Sequence, residues 1–220
     1  MRTVIFDLDG TLADTSADLI AAANACFRGL GHGDLLSPVA DAHTAFRGGR
    51  AMLRLGFERL GHGGEAEIAE QYPVLLDYYG EHIDVHTRLY DGAAEAVEAL
   101  RAAGYALGIC TNKPEDLADR LLMRLGVRDL FGAMIGARTV GVSKPDPKPY
   151  VAAVEGAGGT VARSFLVGDT ETDRATARAA GVPCALVTFG PDGDRVAALE
   201  PEALLGHYGD LADVTRELIG

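Results

Sequence analysis

The sequence predicts an α/β fold: a doubly wound parallel sheet, interrupted near its start by a small α-helical insertion. Three observations carry this expectation. An apolar β-type run, Val4-Ile5-Phe6, opens the chain and ends in polar residues. From about residue 89 onward, short apolar runs alternate with helix-length amphipathic stretches, the pattern of a parallel sheet covered by helices. Between these regions lie roughly seventy residues of helical periodicity with no alternating β-branched run. The expected division is a core of residues 1–14 and 85–220 and a helical domain of residues 15–84.

The first run ends in Asp7-Leu8-Asp9-Gly10-Thr11. Side chains alternate along extended backbone, so Asp7 and Asp9 are expected on one side as the strand leaves the sheet. Like charges so close repel, and such a pair persists when a cation bridges it or one carboxyl holds a proton. Gly10 permits a sharp exit, and the Thr11 hydroxyl and nearby N–H groups can bind an anion. A helix cap or half of a calcium loop is the alternative. Counting from Asp7, however, puts Leu12 and Asp18 where a calcium loop needs Gly and Glu.

A helix follows over residues 13–30, with Leu19, Ile20, Ala23 and Phe27 at helical spacing and Gly29 and Gly31 ending it. Helical patterning continues from Ser37 to His82. Within it, Arg47 and Arg50 flank a Gly pair, and guanidinium suits a carboxylate or phosphate; solvated arginines in a turn are the alternative. Past Leu89-Tyr90, Asp91 is expected to cap a helix running to Gly104. A strand over 105–110 then ends in Thr111-Asn112-Lys113-Pro114, a hydroxyl and an amide just before a Pro-initiated helix, which makes a phosphate-oxygen site.

A helix over 115–125 and a short strand near 133–136 lead to Ser143-Lys144-Pro145. The chain has only three lysines, at 113, 144 and 148, against seventeen arginines. A compact ammonium at 144 suits a site that must neutralise both a phosphate and a carboxylate. The buried run Ser164-Phe165-Leu166-Val167 ends in Gly168-Asp169-Thr170-Glu171-Thr172-Asp173. Hard carboxylate oxygens there suit Mg²⁺, and the four-residue spacing turns Asp173 back toward Asp169. A strand over 182–189 and two short helical segments complete the expected core.

Composition narrows the function. The chain has 220 residues, 48% of them hydrophobic, and a formal charge of −12. Such acidity excludes phosphate-backbone binding as the main activity, so no nucleic-acid partner is expected. No apolar run approaches the ~20 residues of a membrane span, and the N-terminus is too short and acidic for a signal peptide, so a cytoplasmic protein without a membrane partner is expected. Cys26, Cys110 and Cys184 are odd in number and far apart, as buried, reduced thiols are.

Taken in order, these stretches resemble the four motifs of the haloacid dehalogenase (HAD) superfamily: D-x-D-G-T at Asp7 to Thr11, a Thr ending an apolar strand at Thr111, a Lys-Pro at Lys144, and G-D-x-x-x-D at Gly168 to Asp173. The resemblance implies a Rossmann-like HAD core with a helical cap and a phosphomonoester hydrolase. It makes Asp7 the nucleophile forming an aspartyl-phosphate and Asp9 the acid and base. It implies Mg²⁺ held by Asp7, the Asp9 backbone carbonyl, Asp169 and Asp173, the last directly or through water. It also places Thr111, Asn112 and Lys144 on phosphoryl oxygens and makes Arg47 and Arg50 candidate specificity residues. The partner implied is a small phosphorylated metabolite, and the protein a monomer or homodimer.

Asp9 separates the chain from dehalogenases, which resemble it at the first Asp but generally lack the second. A cap without lysine differs from phosphonate hydrolases, and Leu19 stands where sugar phosphomutases carry a His. Lys113 and the cap size most resemble phosphoglycolate phosphatases, which implies 2-phosphoglycolate as substrate. The segment Arg47-Gly48-Gly49-Arg50 departs from their pattern and keeps sugar phosphates, nucleotides and pyrophosphate as alternatives. A non-catalytic phospho-ligand sensor is the alternative of another class.

Overall fold

The computed structural model describes all residues, Met1–Gly220. In chain order the elements are β1 (Thr3–Phe6), β2 (Ala13–Asp14), α1 (Ser16–Gly29), α2 (Ala42–Ala45), α3 (Gly49–Leu60), α4 (Glu65–Glu81), β3 (Arg88–Leu89), α5 (Ala93–Ala102) and β4 (Ala106–Cys110). They continue as α6 (Glu115–Arg124), β5 (Ala133–Ile135), α7 (Lys148–Gly156), β6 (Ser164–Gly168), α8 (Glu171–Ala180), β7 (Cys184–Val187), β8 (Ala203–Leu205) and α9 (Leu211–Ile219). The chain forms two compact units, Met1–Ala13 with Leu89–Gly220, and Asp14–Arg88.

The first unit is built on a six-stranded sheet of order β5-β4-β1-β6-β7-β8, every neighbouring pair parallel. The chain begins in the middle, at β1, builds outward through β4 and β5, then returns to the other side of β1 at β6. In such sheets the reversal point leaves a crevice beyond the strands' carboxyl ends. Register sets what meets there. Phe6 is level with Ile109 on β4 and with Val167 on β6, so Asp7, Thr111 and Asp169 leave three adjacent strands within a residue of one another.

Burial explains the strands. Val4, Ile5 and Phe6 are fully buried, as are Phe165, Leu166 and Val167, which is why these runs are apolar throughout rather than alternating. On one face Ile5, Leu166 and Leu186 pack in a cluster with Tyr150 and Val154 of α7 and Ala177 of α8. Each such aliphatic side chain stabilises the fold by roughly 1.5–3 kcal/mol.

The second unit is helical. Its α1 and α3 meet through Phe27 and Phe57, stacked edge to face at 5.3 Å. The Asn24 side chain accepts from the N–H groups of Leu35 and Leu36 and donates to the Leu36 carbonyl, shaping the turn after α1. Asp41 receives both guanidinium nitrogens of Arg59 at 2.7 Å. Buried Asp18, in the first turn of α1, accepts from the His86 N–H, the Thr87 N–H and the Thr87 hydroxyl. That carboxylate therefore staples the unit's last residues to its first helix.

Several local expectations are corrected. Asp91 does not cap α5; Gly92, at φ 78°, occupies the cap and no side chain bonds there. The final expected strand is shorter, Cys184–Val187, and the tail contributes a further strand, β8, on the sheet's edge. Its three residues after Pro201 are too few to establish a period of two. The helix expected over 13–30 begins at Ser16, because Ala13 and Asp14 pair as a short strand with β3.

Replacing Asp18 with Ala would strand three donors in a buried position. A loss of about 2–4 kcal/mol is expected from urea unfolding followed by circular dichroism, against less than about 1 kcal/mol for exposed Asp77 changed to Ala.

Candidate active site

Asp7 follows β1 directly, and its N–H donates to the Val167 carbonyl at 2.9 Å, so the residue stays tied to the sheet as the chain turns away. The turn is tight: Leu12 and Ala13 N–H both return to the Leu8 carbonyl, and Gly10 sits at φ 83°, where a side chain would be strained. Thr11 is buried, and its hydroxyl donates to Asp169 Oδ1 at 3.0 Å. The hydroxyl expected to take an external anion is thus spent on an internal carboxylate. Behind it, the Tyr208 hydroxyl donates to the Thr11 carbonyl at 2.7 Å.

Lys144 lies at the centre of the cluster. Its Nζ donates to Asp173 Oδ1 at 2.6 Å and stands 3.0 Å from Asp7 Oδ1, with 2% of its side chain exposed. Asn112 brackets the Lys144 backbone, its Nδ2 donating to the Lys144 carbonyl and its Oδ1 accepting from the Lys144 N–H. Asn112 therefore holds the lysine's backbone in place. Lys148, the rival lysine, is exposed at the start of α7.

Asp173 is the third residue of α8 and forms a capping box with Thr170. Its Oδ2 accepts from the N–H groups of Asp169 and Thr170 and from the Thr170 hydroxyl. With Oδ1 on Lys144, both oxygens are engaged. Gly168 makes this possible, since a Cβ there would come within 2.4 Å of the Asp173 side chain. Thr111 is buried, and its hydroxyl oxygen accepts from the Lys113 N–H at 3.2 Å.

Lys113 is the residue that sequence reasoning undervalued. Its Nζ donates to Asp9 Oδ1 at 2.7 Å, with 3% of its own side chain and 17% of that of Asp9 exposed. Two of the chain's three lysines therefore meet its two first-motif carboxylates. The scarcity of lysine in a sequence rich in arginine was the available signal.

Four carboxylates, Asp7, Asp9, Asp169 and Asp173, thus share two ammonium groups. The imbalance appears at Asp7 and Asp169. Burial pushes the Asp7 carboxyl up to about 6; Lys144 opposes this, while Asp173 and Asp9 add to it. Burial, then Asp173 and Asp7, hold Asp169 well above the usual carboxylate range, against the Thr11 hydrogen bond and Lys144. Burial alone would lower the Lys144 ammonium, but Asp173 and Asp7 outweigh it and raise its pKa. The set fits a divalent cation. Asp7, Asp169 and Asp173 can each offer an oxygen within 4.8 Å of the others, the donors are hard oxygens, and one buried ammonium between them leaves their charge unbalanced.

Arg47 and Arg50 both lie exposed in the helical unit. Arg50 is stacked 4.7 Å over the Tyr72 ring. Cys26, Cys110 and Cys184 are free and buried, Cys110 and Cys26 with their thiols pushed up to about 12 and 11 by burial, which makes them inert.

A family model for haloacid dehalogenase-like hydrolases matches residues 4–187. The chain belongs to that family. Among curated relatives of this HAD hydrolase is a phosphoglycolate phosphatase of Agrobacterium fabrum, 37% identical over 97% of the chain and 91% of the relative. Another, from Cereibacter sphaeroides, is 34% identical over the whole of both. A solved structure described as a predicted phosphoglycolate phosphatase from Haemophilus somnus superposes with a TM-score of 0.86, 26% identity and 98% coverage of each chain. The chain is a phosphoglycolate phosphatase-like HAD enzyme with a parallel α/β core. No helix in it is long and apolar enough to cross a membrane.

The raised Asp7 carboxyl has a consequence for stability. Its folded pKa of about 6 exceeds the unfolded ~3.9, so the folded state binds the proton more tightly, and stability falls as pH rises from about 4 to 6 and stays reduced above. In the presence of a chelator, Asp7→Asn is therefore expected to raise the unfolding free energy above pH 6 by on the order of 1–3 kcal/mol and to leave it unchanged near pH 4. Urea titrations across that pH range measure the difference.

Proposed function

We propose that this protein is a Mg²⁺-dependent phosphomonoester hydrolase acting through an aspartyl-phosphate, with 2-phosphoglycolate as substrate. The observation that carries the mechanism is the pairing of two adjacent strand-end carboxylates with two buried lysines. The substrate rests on the names of relatives that match along nearly the whole chain.

Asp7 attacks phosphorus, and the bond from phosphorus to the leaving oxygen breaks. Asp9 gives that oxygen a proton and then takes one from the water that hydrolyses the aspartyl-phosphate. A phosphate dianion repels a carboxylate nucleophile, and Lys144, beside Asp7, offsets part of that repulsion and holds a phosphoryl oxygen. The Thr111 hydroxyl is the second phosphoryl contact. Mg²⁺, when bound, supplies the remaining positive charge that phosphoryl transfer requires. Asp7, Asp169 and the Asp9 backbone carbonyl would hold it. Asp173, with both oxygens engaged, orients Lys144 and would add its negative charge to the ion's site.

We read residues 14–88 as the substrate-selecting cap and Arg47 and Arg50 as its candidates for the substrate carboxylate. With Arg50 already stacked on Tyr72, Arg47 is the stronger of the two. We place the reaction in the cytoplasm, where three buried free thiols stay reduced.

Phosphate release from 2-phosphoglycolate, sugar phosphates and an aryl phosphate, with Mg²⁺ or with EDTA, tests this reading. Release that requires Mg²⁺ and favours 2-phosphoglycolate is expected; release without preference would keep the mechanism and remove the substrate. Asp169→Asn should weaken Mg²⁺ activation at least tenfold, and an unchanged Mg²⁺ dependence would remove Asp169 from the metal site.

A further inference from the structure

We propose that Lys113 is the positioning residue for the acid–base carboxylate, its buried ammonium fixing the orientation of Asp9 toward the leaving oxygen. The proposal rests on the phosphatase reading above and adds to it a residue with no role in that chemistry so far.

Lys113 Nζ reaches Asp9 Oδ1 at 2.7 Å from the neighbouring strand's exit loop. The loop itself is held at both sides of the lysine: the Lys113 N–H donates to the Thr111 hydroxyl, and its carbonyl accepts from the Ala137 N–H at 2.8 Å. A long, flexible side chain is thereby anchored at its base and paired at its tip, with almost none of it exposed. Asp9 stands in the turn after β1 and must present its carboxylate to a reacting atom, and the Lys113 ammonium grips one of its two oxygens there.

Stability is a poor explanation for this ion pair. Burying an ammonium beside a carboxylate recovers little more than its desolvation, and apolar residues of similar size would serve as well. Lysine also suits the task better than arginine. A compact point charge can grip one carboxylate oxygen without the two-pronged engagement that guanidinium favours. In a chain with seventeen arginines and three lysines, that choice is informative.

The test compares Lys113→Met and Lys113→Arg with the wild-type chain on an alkyl phosphomonoester and on 4-nitrophenyl phosphate, in Mg²⁺. The aryl leaving group departs without help, so a fault confined to the acid spares it. Lys113→Met is expected to lower kcat for the alkyl ester by about 10²–10³-fold and for the aryl ester by less than about tenfold, with KM little changed. Lys113→Arg should restore part of the alkyl activity. In an Asp9→Asn background, Lys113→Met should have little further effect, since the lysine acts through Asp9. Equal losses on both esters, a rise in KM with kcat unchanged, or additive losses with Asp9→Asn would overturn the proposal. A wild-type chain inactive on both esters would instead bring down the phosphatase reading, and the proposal with it.

Discussion

The site depends on one buried cation. The Lys144 ammonium sits between Asp173 and Asp7, and neither carboxylate is tenable there without it. Each neighbouring feature serves that arrangement. Asn112 fixes the lysine's backbone, the capping box of α8 fixes Asp173, and the register of β1 against β6 delivers Asp7 to the same point. Secondary structure and chemistry coincide here, because the N–H groups that α8 must satisfy at its start are the ones that orient Asp173.

Positive charge is nevertheless short. Four acids share two ammoniums, and the excess falls on Asp7 and Asp169, the two residues most suited to hold a metal. An arrangement poor in cations destabilises the fold and prepares it for a ligand, the usual tension between stability and activity. Nearby, Tyr208 and Thr11 form a relay of hydrogen bonds from the C-terminal segment to Asp169. The last part of the chain thus contributes to the site without supplying a reacting group.

Much of this was legible in the sequence because strand ends announce themselves. Apolar runs stopping at Asp7, Thr111 and Asp169 locate the crevice, and Lys144, one of only three lysines, completes it. What escaped was any property requiring two distant residues at once. Nothing local in Thr-Asn-Lys says that Lys113 will reach Asp9, or that Asn112 will turn to the Lys144 backbone. Tyr208 carries no signal at all, since a buried tyrosine finds its hydrogen-bond partner only through the fold. The missed strand β8 has a different cause: three residues at a sheet edge take their conformation from β7 rather than from their own propensity.

The staple formed by Asp18 has a meaning beyond the stability of its own unit. It joins residue 18 to residues 86 and 87, so the helical unit holds its two ends together from within. To the sheet, such an insertion looks like a short loop whatever its length, because the entropy of closing it has been met by the insertion itself. Evolution could therefore rewrite the helices, lengthen them or exchange them entire while the strand ends keep their places. An insertion closed on itself in this way can change at its own pace.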